Sequence, residues 1–70
     1  MKHSQLNELN YFVEIQHYET KKWLLAAGFK YMDDAERYSE TFAYSVLQAA
    51  KVQVPIRMID FEGKVHRTFH

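Results

Sequence analysis

Three acidic side chains, Asp33, Asp34 and Glu36, form the densest carboxylate group in the chain. Such a group can hold a metal or exchange a proton as a general acid. The same residues have a structural use. Asp33 followed three positions later by Glu36 reads as a capping box, and acids in a first helical turn meet the positive end of the helix dipole. Capping accounts for all three without chemistry. His17, His66 and His70 would converge only if the first and last strands were neighbours. His66 and His70 have the spacing of helical ligands in a stretch that reads as strand, where four residues span about 13 Å. They read as surface histidines that tune a response to pH.

Other chemistries lack their residues. There is no cysteine, so no thiol nucleophile and no thiolate zinc site, and Ser39 and Ser45 have neither a histidine in helical reach nor an elbow context. Gly28 and Gly63 are the only glycines, and neither lies in a strand-to-helix glycine cluster that would cradle a phosphate. The sequence predicts no catalytic residue, cofactor or metal.

The element that must organise the fold is the stretch Asp33 to Lys51, which is long and periodic enough for a full helix. At about 100° per residue, Ala35, Tyr38, Phe42, Val46 and Ala49 fall on one stripe, with Ser39 and Ala50 at its margin. Arg37, Glu40, Thr41, Tyr44, Gln48 and Lys51 fall opposite. Val52, Val54 and Pro55 are expected to end the helix by turning the chain extended.

One amphipathic helix cannot bury its own stripe, so the flanks must supply a sheet. Residues 1–9 read as a polar lead-in, with one helical turn capped at Ser4, and 10–70 as one domain. From Asn10 to Tyr18 the chain alternates: Tyr11, Val13, Ile15 and His17 face one way, and Phe12, Glu14, Gln16 and Tyr18 the other. Glu19 to Lys22 is a polar break of turn length. Trp23 to Phe29 then returns as an apolar strand, with Gly28 near its end at a bulge or close approach. Phe29, Tyr31 and Met32 are expected to cover the first turn of the helix. Val54 to Asp60 reads as a third strand, with Pro55 at its start or an edge. Phe61 to Lys64 is a turn with Gly63 left-handed, and Val65 to Phe69 is the fourth strand. The prediction is an α+β ββαββ two-layer sandwich, one helix on a four-stranded antiparallel sheet. A right-handed crossover through the helix leaves room for strand one between strands two and three, giving order 2-1-3-4.

Seventy residues with no disulfide sit near the lower limit for a single core. An aromatic content of 16% supplies one remaining support, and self-association is the other. Nine basic and nine acidic residues balance, which argues against a protein that binds by neutralising many phosphates. There is no apolar run of membrane-spanning length and no apolar centre in MKHSQLNELN, so a cytoplasmic protein with no membrane partner is expected.

A helix of about five turns covers roughly 27 Å, one side of such a sheet and not both. The uncovered side is expected to show Phe12, Glu14, Gln16, Tyr18, Arg57 and Ile59, with Phe61 near the turn and either Trp23 and Leu25 or Leu24 and Ala26 from strand two. That is more apolar than a solvated sheet face. Aromatic residues and arginine among few charges suit the centre of a protein interface. The competing reading folds these aromatics against loops and the lead-in. On the helix, Tyr44 is an aromatic on a polar side, and with Arg37 it can anchor a second contact.

The run from Phe12 to Phe69 resembles a loose class of very small proteins of bacteriophages and other mobile elements. In that class a hairpin ends near a tryptophan, a helix opens on D-A-E, and a final hairpin reads I-R-x-I-D-x-x-G-K. Here these are Trp23, Asp34-Ala35-Glu36 and Ile56 to Lys64. The resemblance implies a phage origin and stoichiometric binding to a host protein such as a defence or transcription factor. The reading is therefore a non-enzymatic inhibitor or modulator of an unidentified host protein, possible also as a homodimer. The alternative is a small nucleic-acid-binding regulator that stacks bases on the exposed aromatic sheet face. Against it stand the balanced charge, a strand–helix order unlike the RNA-recognition module, and the absence of that module's glycine–aromatic signature.

Overall fold

A computed structural model describes residues 9–51 and 53–69. Residues 1–8 of the expected 1–9 lead-in, with the turn capped at Ser4, lie outside the described residues, as do Val52 and His70. The chain forms β1 (Tyr11–Gln16), β2 (Trp23–Phe29), α1 (Met32–Ala50), β3 (Ile56–Asp60) and β4 (Val65–Phe69). The strands lie in the order β2-β1-β3-β4, each antiparallel to its neighbour, with the helix on one side. This is the α+β arrangement that the alternation and the right-handed crossover predict.

The core is small. Val13, Ala35, Ile56 and Met58 are fully buried, and Tyr11, Ile15, Phe29, Tyr38, Phe42 and Val46 close around them. Ala35 and Ser39 are the buried helix residues, and the Ser39 hydroxyl donates to the Ala35 carbonyl at 2.7 Å. Two small side chains one turn apart let the helix backbone approach the sheet, and that hydrogen bond removes the cost of burying the hydroxyl. Ala49 and Ala50, expected on the buried stripe, are exposed. The 19-residue helix is about 28 Å long, longer than strands of five to seven residues, so its last turn overshoots the sheet.

The helix ends differ from expectation. Its start is Met32, with Tyr31 as an extended N-cap that makes no side-chain cap bond. Met32 packs against the core and draws the first turn forward. Asp33 therefore lies inside the helix and the capping box does not form, although Asp33 and Asp34 still face the dipole. Phe29 does reach the helix, its ring 5.2 Å from that of Tyr38, but Tyr31 is exposed and stands outside the core cluster. The helix closes on Lys51, left-handed at φ 62°, whose N–H donates to the Leu47 carbonyl at 2.9 Å. A lysine there carries a Cβ penalty that glycine lacks. Lys51→Gly is expected to stabilise the fold by about 0.5–1 kcal/mol, read by urea denaturation.

Turns and bulges fix the register. His17 donates its N–H to the Lys22 carbonyl at 2.8 Å, while its Nδ1 accepts the N–H groups of Glu19 and Thr20 at 3.2 and 3.3 Å. Gln16 Nε2 also donates to the Lys21 carbonyl at 3.0 Å, so two side chains of the first strand's end hold the β1–β2 turn. Gly63 is left-handed at φ 87° in the β3–β4 turn, as predicted. Pro55 stands just before β3, where its carbonyl accepts the Gln16 N–H at 3.0 Å. Gly28 is a close approach: a Cβ there would lie 2.7 Å from Leu9 Cδ1 and 3.3 Å from the Phe12 ring. A bulge at Ala26 shifts the β1–β2 pairing, and a second at His66 shifts β3–β4.

Candidate functional site

Cross-strand partners in an antiparallel sheet point to the same face, so the register sorts side chains between helix and solvent. Val13 opposite Met58, and Ile15 opposite Ile56, face the helix. The helix-free face then carries Phe12 opposite Ile59, Ile59 opposite Val65, Glu14 opposite both Arg57 and Leu25, and Gln16 opposite Trp23. Of the two possibilities for β2, Trp23 and Leu25 point outward and Leu24 and Ala26 toward the helix side.

At the centre of this face Arg57 is held twice. Its Nε donates to Glu14 Oε1 at 2.7 Å, and its guanidinium carbon lies 4.1 Å from the centroid of the Trp23 ring. Both charged side chains are largely covered, 27% and 18% exposed, so the pair is screened less than a surface ion pair. Planar guanidinium stacks on an aromatic face where an ammonium would not. Leu9, the last residue of the expected lead-in, covers Gly28 beside Phe12. The middle of the face is thus packed flat and half-buried, while Leu25 and Val65 on the two edge strands are exposed.

Phe12, Glu14, Arg57 and Ile59 are brought together as expected. Tyr18 and Phe61 are not part of that centre. β1 ends at Gln16, so Tyr18 leaves the strand alternation, stacks on His17 in the turn and is exposed. Phe61 is exposed in the β3–β4 turn at the other end of the sheet, about 20 Å away by strand length. Arg37 and Tyr44 stand on the outward side of the helix, a separate surface; Arg37 lies 3.8 Å from Asp34. Tyr44 and Leu47 border a cleft of about 360 Å³ between the helix and β4, closed by Val54 and Phe69.

Of the acidic cluster at the helix start, Asp34 and Glu36 make ion pairs, Asp34 with Arg37 and Glu36 with Arg67. Glu36 and Glu40 accept from Arg67 at 2.8 and 3.3 Å. Among the described residues no group of three histidine or acidic side chains is placed to hold a metal. His17 and His66 are kept apart by the intervening β3, as the strand order predicts.

His66 instead meets Asp60, a pair the sequence reading missed. The bulge turns the His66 ring toward the helix side, its Nε2 2.9 Å from Asp60 Oδ2 and its ring edge-on to Tyr11 at 5.8 Å. Asp60 Oδ1 accepts the N–H groups of Glu62 and Lys64, each at 2.9 Å. The His66 hydrogen bond first, and then that from Lys64, hold the Asp60 carboxyl below its ordinary value of 3.8. A depressed carboxyl stabilises the fold above the unfolded value, and that contribution is lost as pH falls through the folded one. Denaturation midpoints between pH 5 and pH 2 are therefore expected to fall more steeply for wild type than for Asp60→Asn, which does not ionise.

Comparison with models of known families, with curated proteins and with solved structures finds no match to the chain. Among the described residues no helix is long and apolar enough to cross a membrane.

Proposed function

We propose that this chain is a non-enzymatic protein-binding module that acts in the cytoplasm of a bacterial host. It is a phage-type inhibitor or modulator that blocks a host protein by stoichiometric occupation of a surface. The observation that carries this reading is the Trp23–Arg57–Glu14 assembly, which joins β2, β1 and β3 across the helix-free face. Tryptophan and arginine are the residue types that most often dominate binding energy at interface centres. Here they are ordered before any partner arrives, which lowers the entropy that association must overcome.

The same assembly weakens the nucleic-acid alternative. Arg57 is the one cation that the register places on this face among the described residues, and Glu14 already neutralises it. A phosphate would have to compete with a carboxylate at 2.7 Å.

Affinity capture from a bacterial lysate with a tagged chain tests the proposal. A saturable, near-stoichiometric protein that survives nuclease treatment is expected. Recovery of nuclease-sensitive nucleic acid alone would replace the proposal with the alternative.

A further inference from the structure

Sheet edges offer unpaired N–H and C=O groups, and folded proteins usually blunt them with charge, bulges or short length. The two edges of this sheet differ. Each carries a bulge, β4 at His66 and β2 at Ala26, but β4 has only five residues and Arg67 on its length. β2 reads WLLAAGF, seven residues with no charge and no proline. Among the described residues nothing pairs with its open side.

Two consecutive leucines on that strand are exposed: Leu24 at 47% and Leu25 at 57%. They point to opposite faces of the sheet. A partner laid on the helix-free face would cover Leu25 and leave Leu24 wet. Only a strand added along the edge flanks both.

The backbone shows where such a strand would bond. The His17 N–H donates to the Lys22 carbonyl, so by antiparallel alternation Leu24 also turns its groups to β1. Trp23 and Leu25 turn theirs to the open side. Self-pairing is the natural use of this edge, because in a two-fold contact each residue meets its own kind or a near neighbour. β2 brings no charge of its own to such a contact, so nothing on the strand opposes its copy.

We propose that β2 pairs antiparallel with β2 of a second copy, about a two-fold axis through Leu24, making an eight-stranded sheet with both helices on one side. Trp23 of each copy then exchanges backbone hydrogen bonds with Leu25 of the other. Leu24 meets its own copy as a close, non-hydrogen-bonded pair on the helix side. The seam ends at the Ala26 bulge. This assembly stands independently of the host-protein reading and sets the two helix-free faces edge to edge.

A non-hydrogen-bonded antiparallel pair has Cα atoms about 4.5 Å apart, within reach of a disulfide, whereas Leu25 and its own copy would be on the order of 9 Å apart. The chain has no cysteine, so one introduced thiol reports unambiguously. Under mild oxidation Leu24→Cys is expected to form a covalent dimer at least tenfold faster than Leu25→Cys. Light scattering on wild type should give twice the 8.4 kDa chain mass. Leu24→Lys, which opposes two ammonium groups, should return it to monomer with its circular dichroism unchanged. Val65→Glu, on the helix-free face at the opposite flank, should leave the dimer intact. Monomeric wild type, equal cross-linking at the two positions, or a dimer lost in Val65→Glu and kept in Leu24→Lys would overturn the inference. Capture of a host protein by the Leu24→Lys monomer would leave the host-protein reading in place whatever the dimer does.

Discussion

Ile56→Ala is expected to lower stability by about 2–5 kcal/mol, the range for truncating a buried aliphatic side chain to alanine. Ile56 is fully buried, opposite Ile15 in β1 and opposite Phe69 in β4, so the cavity would open where three strands meet. Domains have roughly 0.05–0.15 kcal/mol of stability per residue, which for 70 residues is about 4–10 kcal/mol. One substitution thus removes a large share of the total. With no disulfide and few fully buried side chains, the fold has little with which to compensate. Urea denaturation followed by circular dichroism should show a midpoint lowered by about half or more, and a midpoint within a tenth of wild type would contradict a core centred on Ile56.

Arg57→Ala is expected to weaken partner binding by at least about 2 kcal/mol, roughly thirtyfold, the cost of losing a residue that dominates an interface. It would also leave Glu14 half-buried without its cation, so part of any loss could arise in the free protein. Arg57→Lys separates the two effects. Lysine keeps the charge beside Glu14 but cannot stack its head on Trp23 as a plane. Binding should fall about tenfold while the denaturation midpoint stays close to wild type. Equal binding by Arg57→Lys and wild type would remove the Trp23–Arg57 stack from the account, and titration calorimetry with the purified partner reads it directly.

The architecture was legible because it rests on local pattern. Alternation from Tyr11 to Ile15 sets one face, the polar break at Glu19 to Lys22 sets the first hairpin, and Gly63 sets the second. Handedness of the crossover does the rest. β2 and β4 have the bounds expected of them, since sharp polar breaks precede both. The helix ends were less legible. The Asp33–Glu36 spacing resembles a cap, yet burial of Met32 outweighs it, and a left-handed Lys51 has no glycine to announce it.

The candidate site was legible as a face and not as an arrangement. β2 is apolar on both sides, so nothing in WLLAAGF says which side turns outward; pairing with Gln16 and Glu14 decides it. The Arg57 stack on Trp23 joins β3 to β2 across β1, a three-strand register that no single segment encodes. The Asp60–His66 pair depends on a bulge, and a bulge that needs no glycine leaves no mark in the residues around Val65 and Arg67. Exposure of Leu24 and Leu25 follows from β2 being an edge, which is a property of strand order.

Trp23 is the sole tryptophan of the chain and carries the Arg57 stack of the proposed face, so one fluorine label can interrogate it. The direct measurement is the fluorine NMR spectrum of the chain carrying 5-fluorotryptophan, in the Leu24→Lys background that keeps copies apart, titrated with the captured host protein. A single resonance that shifts or broadens to saturation at a one-to-one ratio is the predicted result. A resonance unmoved when the partner is fully bound would contradict a binding face built on Trp23 and Arg57.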